Sequence, residues 1–178
     1  MEFNSKATPK IETKCFKIYA DVAESTESSP TWELQGRGVE SWTVNQNQDI
    51  TKKSDVLGFV DMERGIAQPT QSGVKLNLRK DSKLGALLFD AWFTGDMSAL
   101  DSVKILQKFE FVDGSTTGTT TCKARLQEGC MIGINSFTGE AGGYLGFDVD
   151  IHYSNQITIG TMPIIDSETI TFTADSAS

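Results

Sequence analysis

The sequence is poor in the residue types that most often build catalytic and metal sites. It has one histidine, His152, in 178 residues, so a Ser–His–Asp or Cys–His site has only one place to form. Its three cysteines, Cys15, Cys122 and Cys130, are an odd number without the close spacing of zinc ligands or of a disulfide framework. We therefore expect no catalytic residue, no metal, no cofactor and reduced thiols in a cytosolic product.

Long apolar runs are also missing. No stretch of about 18 consecutive apolar residues is present, so the sequence predicts no membrane insertion by a helix. The first residues, MEFNSKATPKIETK, lack the continuous apolar segment of a signal peptide. With 38% hydrophobic residues in 178, the chain can bury one sizeable core, and we expect a single domain over residues 1–178.

Basic residues are absent from the last part of the chain. Residues 126–178 contain seven carboxylates and no Lys or Arg, whereas the preceding part is nearly balanced, and the net charge is −8. An acidic surface that keeps the chain soluble is one explanation. The other explanation is a functional surface that must carry charge of one sign only. A strong negative field argues against tight binding of nucleic acid.

The remaining chemical patterns have plain structural explanations. His152 and Asp150 lie two apart, and such residues share a face in any strand. The segment GEAGG at 139–143 has no Lys and no following helix, so it is a turn rather than a phosphate loop. The pair Asp148 and Asp150 lacks oxygen ligands at the spacing of a calcium loop.

Alternation of apolar and polar residues, bounded by turn residues, predicts strands along most of the chain. In GYLGFDVDIHYS, Phe147, Val149 and Ile151 lie on one side, opposite the aspartates. The same period is found in TKCFKIYA, TWELQGRGVESWTV, GVKLNLRK, SVKILQKFEFVDG, TTTCKARLQEGCMIG and ETITFTA. The loop DGSTTG has the composition of a hairpin turn. We therefore expect a mainly β fold, an antiparallel β-sandwich or barrel.

One segment, DSKLGALLFDAWFTG, has helical periodicity instead. Its apolar residues at helical spacing are Leu84, Leu87, Leu88 and Trp92. Asp81 or Ser82 can cap the first turn, and Gly95 can end the helix. The pattern predicts one α-helix over residues 82–94 that covers the sheet.

A long polar excursion interrupts the strand pattern between residues 39 and 67. The eleven residues from Asn45 to Asp55 hold no large apolar residue except Ile50, which is too polar for a core. The pattern predicts a long protruding β-hairpin arm with a solvated tip, which contacts another subunit through residues 46–55. The candidate residues for this contact are Asp49, Ile50, Lys52, Lys53 and Asp55.

The order of these parts resembles the major tail tube protein of long-tailed, non-contractile bacteriophages. A strand pair flanking the excursion at 39–67 is followed by GVKLNLRK, the short helix SKLGALLFDAWFTG, and strands with KFEFVDG and GYLGFDVDIHYS. The resemblance spans nearly the whole chain, without the C-terminal immunoglobulin-like domain of some members. It implies homohexameric rings whose subunits pool strands into an inner β-barrel, stacked into a tube that carries the genome.

The resemblance also implies partners and a location. The partners are further copies of the chain and the tape-measure, tail-terminator and baseplate proteins, while DNA passes transiently without specific binding. The chain would lie in the virion tail after assembly in the host cytoplasm, with its N- and C-terminal arms in inter-subunit contacts.

Small polar and acidic side chains are expected to line the bore of such a tube. The candidate lumen-facing residues are Ser41, Thr43, Asn45, Asn47, Asp148 and Asp150. The first four form one polar face of the strand predicted over residues 39–48, and the two aspartates must point away from the core. Carboxylates repel phosphates, so DNA would slide past them without sticking.

Other functions remain open. Related tubes occur in contractile tails, bacteriocins and secretion machines, so a tube subunit of a contractile injection or bacteriocin particle is an alternative. A non-enzymatic ligand-binding β-sandwich fits the fold class, but no aromatic or polar cluster converges on one site. A fimbrial or surface-layer subunit would need export. Nothing in the residues favours an enzyme.

Overall fold

The computed structural model describes residues 11–23, 29–35, 43–115, 118–139, 141, 143–165 and 170–175. Strands make up most of these ranges, with short 3-10 turns at Thr13–Cys15 and Ser98–Leu100. The strands are β1 (Phe16–Asp21), β2 (Trp32–Gln35), β3 (Thr43–Asn45), β4 (Ile50–Ser54), β5 (Val60–Arg64), β6 (Thr70–Asn77), β7 (Val103–Ser115), β8 (Gly118–Gly139), β9 (Leu145–His152), β10 (Gln156–Pro163) and β11 (Thr173–Ala174). One helix, α1, spans Lys83–Thr94. No helix in these ranges is long and apolar enough to cross a membrane.

The strands pair antiparallel throughout the described ranges. The order runs β2-β1-β7-β8-β9-β6-β3, and β10 adds to β8 with β11 beside it. A separate two-stranded ribbon is formed by β4 and β5. The predicted class, mainly antiparallel β with one helix and a protruding hairpin, is confirmed.

Strand β8 is long enough to pair differently along its two halves. Its first half lies between β7 and β10, with Ala124 opposite Lys108. Its second half pairs with β9, where Ile134 lies opposite Val149. Between them, Gly129 has a φ of 70°, a left-handed conformation that favours glycine and accommodates a bulge. The part formed by β3, β6, β9 and the second half of β8 is called the second sheet below.

The main core is formed by the second sheet, α1 and buried residues of β1 and β7 such as Ile18 and Ile105. Leu84, Leu88 and Ala91 of the helix are buried with Phe147 and Val149 of β9. These strand residues are the ones that alternation predicts to point inward. The expectation that the apolar side of the helix covers the sheet is therefore confirmed.

The ends of α1 also lie where the sequence predicts them. Ser82 is the N-cap and accepts the N–H of Gly85 at 2.9 Å. Gly95 ends the helix in the left-handed conformation, with its N–H bonded to the carbonyl of Ala91. Trp92, grouped with the covering face in the sequence, remains 42% exposed at the edge of that face.

The strand predictions need several corrections, including TKCFKIYA, whose residues Thr13–Cys15 form a 3-10 turn. Strand β10 was not predicted, because its exposed positions carry Ile157 and Ile159, the reverse of the usual pattern. Of the segment ETITFTA, residues 168–169 lie outside the described part and Thr173–Ala174 form β11, while Ile170 and Phe172 pack against a second apolar cluster. Of the strand predicted over 39–48, residues 43–45 form β3, residues 46–48 are irregular, and residues 39–42 lie outside the described part.

Candidate assembly surfaces

The arm, defined as residues 49–66, is a hairpin of β4 and β5. Its register pairs Ile50 with Arg64 and Ser54 with Val60. Gly65 donates its N–H to the carbonyl of Asp49 at 2.8 Å and closes the base. Every residue from 49 to 66 is exposed. The arm therefore has no interior of its own, and a two-stranded ribbon of this kind is only marginally stable in water without a covering partner.

The tip of the arm is apolar, which corrects the expectation of a solvated tip. The carboxylate of Asp55 accepts the N–H groups of Leu57 and Phe59, each at 2.9 Å, and so builds the turn. Val56 is fully exposed, Leu57 is 78% exposed and Phe59 is 67% exposed. The polar residues predicted at the tip form the stem instead. The sequence shows correctly that residues 45–55 are polar. Only the pairing register of β4 and β5 shows where the hairpin turns.

The two faces of the arm differ in chemistry. Pairing across β4 and β5 places one set of side chains together on what we call the apolar face: Ile50, Lys52, Ser54, Val60, Met62 and Arg64. The opposite face carries Thr51, Lys53, Asp61 and Glu63. Lys53 forms an ion pair with Glu63 there. The apolar face has two cations, Lys52 and Arg64, and no carboxylate, so the charge on this face is positive.

Side-chain amides tie the stem to the second sheet. Asn47 has a φ of 43°, and its Nδ2 donates to the carbonyl of Gln68 at 3.1 Å and to Thr70 Oγ1 at 3.0 Å. Gln48 Nε2 donates to the carbonyl of Gly65 at 2.9 Å. The base of the arm is thus fixed, while its length and tip project from the described part of the chain.

The second sheet presents a polar outer face. Its register aligns Asn45 of β3, Thr70 of β6 and His152 of β9 in one row, and Lys75, Asp148 and Ser136 in another. Thr70 Oγ1 lies 3.5 Å from His152 Nδ1. We call this surface the polar face; the predicted lumen residues on it are Thr43, Asn45, Asn47, Asp148 and Asp150. Ser41, the sixth candidate, lies outside the described residues.

The two aspartates have different local roles. Asp150 Oδ1 accepts the N–H of Gly73 at 3.0 Å. Gly73 has a φ of 68° and lies in the bulge between Gln71 and Val74, so this carboxylate holds an irregular part of β6. Asp148 sits across from Lys75, and its Oδ1 is buried without a hydrogen-bond partner in the described part of the chain. Lys75 makes the charge of this face mixed rather than uniformly acidic.

An exposed aromatic surface on α1 was missed by the sequence analysis. The helix patch consists of Phe89, Asp90, Trp92, Phe93 and Met97. The rings of Phe89 and Phe93 are stacked with centroids 6.0 Å apart, and Phe93 is 74% exposed. Their i, i+4 spacing, on the side of the helix away from Leu84 and Leu88, was the available signal.

The described part of these surfaces holds no metal-binding cluster. Within the described ranges, no three His, Cys, Asp or Glu side chains lie close enough to hold a metal ion. What these surfaces do offer is exposed apolar area and uncompensated charge, the features of contact surfaces between proteins.

Comparison with known proteins gives a fold rather than a family. No protein-family model matches the sequence, and no curated protein matches it. Among solved structures, the chain is similar to the PVC sheath/tube terminator of an extracellular contractile injection system in the extended state. The TM-score is 0.50 at 10% identity, covering 84% of this chain and 96% of that one. At this identity the likeness shows a shared fold.

Two further solved structures are similar at lower TM-scores. The anti-feeding prophage tube-terminating cap has a TM-score of 0.47 and 13% identity, with 87% of this chain and 93% of that chain covered. The PVC sheath-tube complex in the extended state has a TM-score of 0.45 and 11% identity, with 81% and 86% covered. The second of these is described as part of an extracellular contractile injection system.

Proposed function

We propose that this chain is a structural subunit that assembles with copies of itself into stacked six-fold rings, forming the tube of a contractile, phage-tail-like injection particle. The contractile setting was the alternative in the sequence analysis, and the fold shared with a contractile-system tube terminator favours it over a non-contractile phage tail. The partners in this proposal are other copies of the chain, a terminator, a baseplate and a tape-measure protein. The place of action is the tail of the extracellular particle.

The arm is the observation that carries the proposal. All of residues 49–66 are exposed, and the apolar tip residues Val56, Leu57 and Phe59 have no cover in the described part of the chain. In a monomer such a ribbon would bury no apolar surface, and its exposed strands and apolar tip would promote aggregation. A closed, repeating assembly gives each arm a defined partner. In this proposal Asp49, Ile50, Lys52, Lys53 and Asp55 form the stem of the inter-ring contact.

The polar face is the proposed wall of the bore. Its small hydroxyl and amide side chains offer a hydrated surface. Asp148 and Asp150 supply the negative charge that would repel phosphates. Lys75 offsets part of that charge, so repulsion of a nucleic-acid cargo is moderate at this position. The proposed cargo passes without specific binding, because the face offers few cations to pair with phosphates.

A second candidate is a tube terminator, which closes a tube rather than repeating along it. The structure with the TM-score of 0.50 is a sheath/tube terminator, of which 96% is covered. A terminator forms one ring and stops, while a tube subunit forms rings that stack. The two are separated by the length of the assembly that the purified chain forms on its own.

Removing the arm tests the proposal. Replacing residues 50–64 with a short Gly-containing turn between Asp49 and Gly65 removes only exposed residues and leaves the base in place. We expect wild type to form rings or tubes in sedimentation velocity and negative-stain electron microscopy, and the shortened chain to be a folded monomer. The control is Asn155→Ala, a change in an exposed bend, which should assemble normally. Normal tubes from the shortened chain would refute the role of the arm.

A further inference from the structure

The arm and the helix patch of the same chain are unlike surfaces. The apolar face of the arm holds Ile50, Val60 and Met62 together with Lys52 and Arg64. Each of these apolar side chains is about half exposed or more. Arg64 lies in the row at the base of this face and Lys52 in the middle row, opposite Met62, and no carboxylate lies on the face.

The helix patch has the opposite charge. Phe93 and Met97 are exposed, and the ring of Phe93 is stacked on that of Phe89. The carboxylates of Asp90 and Asp96 lie on the same exposed stretch of chain. Asp96 already accepts the N–H of Ser98 at 3.0 Å, whereas Asp90 projects from the exposed side of the helix. The patch is thus aromatic with an acidic rim.

We propose that the apolar face of the arm of one copy docks on the helix patch of another copy. This inference rests on the proposed self-assembly and names the surface that receives the arm. Aliphatic side chains cover the exposed aromatic rings, while Lys52 and Arg64 meet the acidic rim. Since the two surfaces differ, the contact is heterologous. Such contacts repeat from copy to copy and generate rings or open filaments rather than closed dimers.

Cysteine pairing tests this contact with minimal changes to the surface. Ser54→Cys places a thiol on the apolar face of the arm, and Ala86→Cys places one on the exposed side of α1 beside Phe89 and Phe93. The native cysteines should contribute little background, because Cys15, Cys122 and Cys130 are buried. Burial also raises the pKa of the Cys130 thiol, which lowers its reactivity at neutral pH.

Full-length Ser54→Cys and Ala86→Cys chains are mixed, allowed to assemble and exposed to mild oxidation. We expect a disulfide-linked dimer in the mixture and a ladder of multimers from the double variant. The matched control replaces Ala86→Cys with Asn155→Cys, in an exposed bend far along the chain, and should give little product. Disulfide formation within a single chain of the double variant, without a dimer in the mixture, would show that the arm folds back on its own helix and would overturn the proposal.

Charge reversal gives an independent readout. Lys52→Glu should weaken assembly about tenfold at low salt, and this loss should shrink as ionic strength rises. Adding Asp90→Lys should restore assembly, because the reversed pair is again complementary. Lys80→Glu, the same charge change in an exposed turn, is the control and should leave assembly near wild type.

The outcomes separate this inference from the proposed function. Wild-type tubes without the crosslink between positions 54 and 86, and without rescue by Asp90→Lys, would overturn the docking site while leaving the tube intact. A wild-type chain that stays monomeric at every concentration would overturn both.

Discussion

Glu33 and Ser82, 49 residues apart, are joined by a hydrogen bond that fixes the start of helix α1. Ser82 Oγ donates to Glu33 Oε1 at 2.6 Å, and the N–H of Leu84 donates to Glu33 Oε2 at 2.7 Å. The carboxylate on β2 thus receives two of the donors at the helix N-terminus, where negative charge is favourable. This contact fastens the helix to the edge of the sheet.

Glu33→Gln should therefore destabilise the protein by about 1–2 kcal/mol, because a charge-assisted pair of bonds becomes a neutral one at a helix N-terminus. Urea unfolding followed by circular dichroism measures the change. Glu63→Gln, the same substitution on the exposed arm, should change the free energy of unfolding much less. Equal effects from the two variants would mean that the contact with Ser82 contributes nothing.

Leu88→Ala tests the packing of the helix. The side chain is fully buried in the main core, and its truncation should cost about 2–5 kcal/mol. Phe93→Ala, on the exposed side of the same helix, should cost about 0.5 kcal/mol or less. The comparison uses arm-shortened chains, so that assembly does not mask stability. An unchanged melting temperature for Leu88→Ala would show that the helix is not packed there.

Tyr153 predicts a pH dependence of stability. Burial raises the pKa of its phenol, and its hydroxyl donates to Gln71 Oε1 at 2.5 Å. The folded protein keeps the phenol neutral, while the unfolded chain ionises near pH 10. Its contribution is thus complete below about pH 10 and is lost as the pH rises further.

Urea unfolding between pH 8 and 11 measures this dependence in the arm-shortened chain. Tyr153→Phe should flatten the decline above pH 10 and lower stability at pH 8 by about 1–3 kcal/mol, since Gln71 loses its buried partner. Tyr144→Phe, a change at an exposed tyrosine, should alter neither. A decline that is equally steep in Tyr153→Phe would assign the effect to other groups.

The charge of the proposed bore is tested at one aspartate. Asp148→Lys is preferred over a double change with Asp150, because Asp150 holds the bulge at Gly73. If Asp148 faces the bore, tubes of the variant should retain DNA or slow its passage in a salt-dependent way, since each added cation can pair with phosphate. Gln156→Lys, at the exposed start of β10, is the control. DNA passage equal to wild type at low salt would remove Asp148 from the bore.

The sequence predicts those parts of the fold that are determined by residues close together in the chain, through periodicity and capping. Strand β9 and helix α1 were predicted because Phe147, Val149, Leu84 and Leu88 repeat at the period of their element. The helix ends were predicted, with Asp81 or Ser82 as the N-cap and Gly95 as the C-cap, because capping depends on residues close in sequence. The contact with Glu33 was not, because no local pattern links residues so far apart in sequence.

The candidate surfaces were predicted less completely for the same reason. The alternation in β9 places Asp148 and Asp150 outward, but only the register shows that Thr43 and Asn45 share their face. The hydrogen bond to Thr70 Oγ1 places Asn47 beside them. The stem and tip of the arm were confused because a polar run does not state where a hairpin reverses. The position of the turn is set by Asp55, whose carboxylate accepts the N–H groups of Leu57 and Phe59.

Cryo-electron microscopy of the concentrated wild-type chain tests the central claim most directly. We expect hollow rings or tubes with six-fold symmetry, in which the polar face with Asp148 and Asp150 lines the bore and each arm reaches a neighbouring copy. A chain that remains a monodisperse monomer at every concentration would contradict the account, as would an assembly whose bore is lined by α1.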